Sequence, residues 1–171
     1  MADLSCRNLT FSVNLESDIL PLPAEQFGLV LCCEVLEHMD IDPMFMLAEV
    51  NRVCRLGGEL VLTTPNCCSA RNFWKIAQGY RPHFFMQYER SRSPYRHNIE
   101  WDVHAVVQLA RAAGFEPVSL ETLDVFEPPM PEALGLLTKN QLTTDHRGDC
   151  IMLRARKVSG VVDRWPAGIY I

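Results

Sequence analysis

Two short apolar runs, separated by a helical period, set the pattern of this chain. Leu29 to Cys33 is an unbroken apolar stretch and predicts a strand buried on both faces. Glu59 to Thr63 predicts a second strand, ended by Pro65. Between them Leu47, Val50 and Cys54 recur on one helical face. Asp42 is the expected N-cap and Pro43 the first helical residue. Arg52 and Arg55 fall in the expected last turn, with Gly57 as a left-handed C-cap. Strand, helix and strand in this order predict a parallel unit with a right-handed crossover. Ligands of such sheets sit at the carboxyl ends of the strands, here Cys33-Glu34 and Thr64-Pro65-Asn66.

The flanking patterns extend this unit without dividing it. Leu9, Phe11 and Val13 alternate with polar residues, which predicts a strand over Asn8 to Val13, followed by a polar turn at Glu16, Ser17 and Asp18. Ser69 to Gln78 predicts a short helix capped by Ser69 and stopped by Gly79. Residues 80–100 mix aromatics, arginines and histidines without a period, as an ordered loop or substrate lid would. Asp102 caps a predicted helix with Val103, Val106, Val107 and Ala110 on its buried face and Gly114 at its end. Pro117 to Leu123 and Ile151 to Lys157 read as strands, and residues 126–149 as irregular and partly helical. One domain over residues 1–158 with a surface tail over 159–171 is expected.

Composition narrows the function classes. Hydrophobic content of 48% and charged content of 22% are those of a globular domain. No apolar stretch has the length of a membrane span and the first residues lack a signal-like run, so a cytoplasmic protein is expected. The net charge of -5 argues against general nucleic-acid binding. Residues 71–97 nevertheless carry +5, leaving -10 for the rest, as either a solvated loop or a lid over an anionic substrate would. The seven cysteines include the pairs Cys32-Cys33 and Cys67-Cys68 but no CxxC, so reduced thiols are expected rather than zinc ligands or disulfides.

Glu34, Glu37 and His38 form the sharpest chemical constellation. If the chain turns helically there, all three share one face, and two carboxylates with an imidazole suit a divalent cation, with His83 or His97 completing its shell. Without a metal, His38 is a general base for a hydroxyl, and the structural alternative is a hydrogen-bonded histidine at a turn. His97 either faces an acceptor or fixes its loop. Asn66 either caps the following helix or lines an acceptor pocket.

PLPAEQFGLVLCCEVLEHM, AEVNRVCRLGGELVLTTPN and HNIEWDVHAVVQLARAAGFEPVSLETLD together resemble class I S-adenosylmethionine-dependent methyltransferases, over roughly residues 8 to 125. The resemblance implies an α/β fold: a partial Rossmann-like sheet of parallel strands with an antiparallel pair at one edge. It covers the carboxyl-terminal part of that fold. The family's glycine-rich cofactor loop has no counterpart here, so a truncated domain and weak cofactor binding are expected. By resemblance, Glu16 and Asp18 approach the adenosine of S-adenosyl-L-methionine, and Cys32, Cys33 and Glu34 line its methionine end. The family's aspartate after the phenylalanine that begins the strand is replaced by Gly28.

The resemblance also implies an acceptor and partners. The acceptor would be a small molecule or glycan-linked hydroxyl, with Glu34 and His38 as catalytic residues and Asn66 and His97 toward the substrate. The ExxEH pattern is similar to that of metal-dependent small-RNA 3'-end methyltransferases and of quinone-ring methyltransferases. A catalytically inactive remnant, serving as an interaction module or as half of a split protein, is the alternative. In the resembled fold the Leu29–Cys33 strand is central. Without its neighbours it becomes an edge, open to a homodimer or to a partner chain that supplies strands.

Overall fold

The structure, a computed structural model, describes residues 9–82 and 97–171. Four strands, β1 (Phe27–Cys33), β2 (Cys54–Pro65), β3 (Phe115–Leu123) and β4 (Cys150–Lys157), form one sheet in the order β1-β2-β4-β3. β1 runs parallel to β2, and β4 runs antiparallel to both β2 and β3. Helices α1 (Pro43–Val53), α2 (Ala70–Ala77), α3 (Val103–Ala112) and α4 (Pro131–Lys139) complete the chain. This is the expected α/β sheet with its antiparallel pair at one edge. The stretch expected to be irregular contains α4, opened by Pro131 and anchored by buried Ala133 and Leu137.

The helix starts follow the cap chemistry. The carboxylates of Asp42 and Asp102 and the hydroxyl of Ser69 each accept a first-turn amide. On α3, Leu109 takes the core position expected of Val107, which is only half-buried.

The end of α1 differs from expectation. The helix stops at Val53, so Arg55 lies in β2, and Gly57, although left-handed at φ 76°, serves the irregular start of that strand. The last carbonyls of α1 are satisfied from outside the helix. Glu25 N–H and Gln26 N–H donate to Arg52 O and Val53 O. The buried Lys157 ammonium donates to Asn51 O and Cys54 O, both at 2.9 Å.

One face of the sheet forms the core. Cys32, Leu60, Leu62, Leu153, Ala155 and Phe115 pack with Leu47 and Val50 of α1 and Val106 and Leu109 of α3. The other face is open along β1. Leu29 is 53% exposed, Leu31 64%, and Cys33 is also exposed, so the expectation of a strand buried on both faces fails. Among the described residues β1 is the end strand, and Leu29 and Leu31 lie outside the hydrophobic core. Residues 9–13 form no strand either, and Leu9 and Phe11 are exposed.

The closing residues, mostly exposed, reach back to the start of α1. Arg164 pairs with Asp42 through both carboxylate oxygens, and Tyr170 Oη donates to Asp42 Oδ1 at 2.6 Å while accepting from Met44 N–H at 3.0 Å. Among the described residues no helix is long and apolar enough to cross a membrane.

Candidate active site

β1 ends at Glu34, which is left-handed at φ 54° and donates its N–H to Thr63 O at 3.0 Å. This turn leads into a 3-10 turn over Leu36–His38 that buries Leu36 and Glu37. The helical continuation that would have put Glu34, Glu37 and His38 on one face is therefore absent. The two carboxylates part instead. Thr63 Oγ1 donates to Glu34 Oε1 at 2.7 Å, and Thr64 Oγ1 donates to Glu37 Oε2 at 2.8 Å. Successive residues of a strand point to opposite faces, so Thr63 and Thr64 draw the two glutamates to opposite sides of the sheet end.

The group that does converge is Glu37, His38 and His97, with ligand atoms within 4.8 Å of one another. Glu37 is 1% exposed, and among the described residues its Oε1 has no hydrogen-bond partner. Burial pushes its carboxyl above the usual range, the neighbouring Glu34 charge adds to this, and Thr64 and His38 oppose it. His38 Nε2 lies 3.7 Å from Glu37 Oε1. The His97 ring stands edge-on to His38 at 4.9 Å and is 8% exposed, and burial lowers its pKa. His97 Nδ1 lies 3.0 Å from Glu100 Oε1.

Asn98 brings His97 here across some sixty residues of chain: its N–H donates to Glu37 O at 2.8 Å and its Nδ2 to His38 O at 3.0 Å. Nothing local in the sequence marks Asn98 or Glu100 for these roles. Glu100 also lines a cavity of about 240 Å³ with Pro65, Asn66, Asn72, Phe126 and Asp149. Asp149 shapes its wall by accepting the N–H groups of Val125, Phe126 and Glu127.

The remaining expected site residues lie as follows. Asn66 lines the cavity, but its amide donates to His146 O and Gly148 O and accepts from Cys68 N–H, so it braces the loop. Cys32 faces the core with its Sγ 3.8 Å from Met46 Sδ, and burial raises its thiol to about 12. Cys33 and Glu34 remain accessible at the strand end. Glu16 Oε1 accepts the N–H groups of Asp40, Ile41 and Asp42, and Asp18 Oδ2 accepts that of Asn14. The proposed lid falls mostly on residues 83–96, outside the described residues, as does His83.

Residues 4–62 match the family model described as a methyltransferase domain. The solved structure of a SAM-dependent methyltransferase from Archaeoglobus fulgidus superposes with a TM-score of 0.52 at 15% identity, over 80% of this chain and 62% of that one. A SAM-dependent methyltransferase from Thermotoga maritima gives 0.52 at 22% identity, over 81% and 59%. The chain shares the fold of these SAM-dependent methyltransferases, and its first third matches the methyltransferase-domain model. It spans 59% to 62% of the length of these two methyltransferase structures. Comparison with curated proteins gives no match. In this fold the Glu37, His38 and His97 group occupies the carboxyl ends of β1 and β2, the side on which α/β sheets bind ligands.

Proposed function

We propose that the chain takes part in S-adenosyl-L-methionine-dependent methylation of a hydroxyl on a small-molecule or glycan-linked acceptor. The observation that supports this most is the convergence of Glu37, His38 and His97 at the strand ends, beside the cavity that Glu100 lines. The acceptor oxygen attacks the methyl carbon, the carbon–sulfur bond breaks to a neutral thioether, and the hydroxyl proton leaves to a base. Positioning supplies most of the acceleration. His38 is the base. Glu37 beside it favours the imidazolium that forms, and His97 with Glu100 lines the approach of the acceptor. The donor would lie against Cys33 and Glu34, which are open to solvent, whereas Cys32 is turned into the core.

The buried Glu37 Oε1, which has no hydrogen-bond partner among the described residues, supports a second reading of the same group, a divalent cation held by Glu37, His38 and His97. Such a cation would supply Lewis-acid polarisation of the acceptor oxygen.

The test is methyl transfer at high S-adenosyl-L-methionine concentration to a panel of hydroxylated small molecules and saccharides, read by mass spectrometry. Acceptors that gain one methyl group with this chain, and not with a folded H38A variant, support the proposal. Absence of transfer to every acceptor would overturn it in favour of a non-catalytic interaction module.

A further inference from the structure

Residues 39–42 join His38 to α1 and belong to neither the 3-10 turn nor the helix. Met39 is buried, but Asp40 and Ile41 are exposed, Ile41 by 78%, so apolar packing holds little of this segment. Three successive amides here share one acceptor instead. The N–H groups of Asp40, Ile41 and Asp42 all donate to Glu16 Oε1, at 2.8, 2.6 and 2.8 Å. A charged acceptor bonds each N–H more strongly than a neutral one, and three bonds to one atom fix the peptide planes relative to one another. Glu16 lies 24 residues before Asp40 and is itself set in a braced turn. Its N–H donates to Asn14 Oδ1 at 3.0 Å, and Asn14 N–H donates to Asp18 Oδ2 at 2.8 Å.

We infer that Glu16 is a positioning residue for His38, an inference that rests on the reading of His38 as the base. The chain is held on both sides of the imidazole. Before it, Asn98 N–H donates to Glu37 O at 2.8 Å, and Asn98 Nδ2 donates to His38 O at 3.0 Å. After it, two residues on, the Glu16 carboxylate holds the amides of the connection. The ring between these anchors lies 3.7 Å from Glu37 Oε1, which sets the direction in which it takes a proton. Without the Glu16 carboxylate the amides of Asp40 and Ile41 bond to water, and His38 is anchored on one side alone. A displacement of about 1 Å is enough to slow such a reaction about a hundredfold. The start of α1 does not depend on Glu16, because the Asp42 carboxylate keeps Phe45, Arg164 and Tyr170. This role differs from the adenosine contact that the resemblance implies: an adenosine ligand governs donor affinity, whereas a positioning residue governs turnover.

E16A and E16Q test this, with H38A to assign the His38 ring signals. In E16A, kcat should fall about 10–100-fold while KM for S-adenosyl-L-methionine stays constant. E16Q keeps an uncharged acceptor oxygen in place and should show smaller changes in the same direction. The imidazole NMR signals of His38 and of His97, which stands edge-on to it, should shift in E16A. Those of the exposed His104 and His146 should not move. Hydrogen exchange should quicken at the amides of Asp40, Ile41 and Asp42, with circular dichroism unchanged. A parent that transfers no methyl group would overturn the function proposed for the site. Shifted His38 signals in E16A would then still support the role of Glu16, because the ring position is read without turnover. Unmoved His38 signals in E16A, or a raised KM for the donor at constant kcat, would overturn the inference.

Discussion

Thr64 Oγ1 donates to Glu37 Oε2 at 2.8 Å, and this bond fixes a buried carboxylate at the end of β2. Its neighbour Thr63 holds Glu34 on the other side of the sheet in the same way. The consequence for stability follows from the raised pKa of Glu37. A carboxyl whose pKa is higher folded than unfolded contributes most below the unfolded value, and that contribution is lost as pH rises. E37Q is therefore expected to be more stable than the parent at pH 7, with the difference vanishing below about pH 4, the ordinary glutamate range. Thermal unfolding across this window checks it. T64V, which removes the donor from Glu37, should cost about 1–3 kcal/mol at neutral pH.

His97 works in the opposite sense. Its pKa is depressed by burial, so its contribution is present above the ordinary histidine value and is lost as pH falls through the lowered folded one. Stability should therefore fall on acidification from about pH 6.5. H97Q should flatten that part of the profile, measured by urea unfolding at a series of pH values.

The metal reading separates two sets of ligands. If Glu37, His38 and His97 hold a cation, Mn²⁺ or Zn²⁺ should raise the melting temperature of the chain, because binding to the folded state stabilises it. H38A and H97A should each abolish the shift, whereas E34Q should leave it intact, since Glu34 bonds to Thr63 on the far side. A shift lost in E34Q and kept in H97A would return the site to the spacing that the sequence suggested.

Cofactor affinity is the next measurement. The 171 residues contain no GxGxG motif of the kind that cradles the donor's carboxypropyl group, and Cys32 is turned into the core. Calorimetry with S-adenosylhomocysteine on this chain is expected to give binding no tighter than about millimolar, near 4 kcal/mol. A micromolar constant would show that Cys33, Glu34 and their surroundings suffice.

The tail contact predicts a purely structural effect. Burial alone would raise the carboxyl of Asp42, but hydrogen bonds from Arg164, Tyr170 and Phe45 outweigh it and hold the group below its usual range. Stability from this cluster is present above the ordinary aspartate value of about 3.9 and is lost as pH falls through the lowered one. Y170F should cost about 1 kcal/mol, or about 2–4 °C in melting temperature, with methyl transfer unchanged.

Local chemistry carried much of the fold into the sequence. Asp42, Ser69 and Asp102 start helices because a short acceptor side chain reaches the first free amides wherever it stands. Apolar runs mark strands for a similarly local reason. What no local rule contains is which neighbours a strand or side chain meets. Leu29 and Leu31 read as buried and are open, because burial depends on elements packed from elsewhere in the chain. The end of α1 needed no glycine because Lys157, a hundred residues away, reaches its carbonyls. The candidate site divides along the same line. The sequence by itself named Glu34, Glu37, His38 and His97 from residue type and spacing. Only the tertiary structure decided the membership, because a left-handed Glu34 and the alternation of Thr63 and Thr64 send one carboxylate away, while Asn98 bonds bring His97 in.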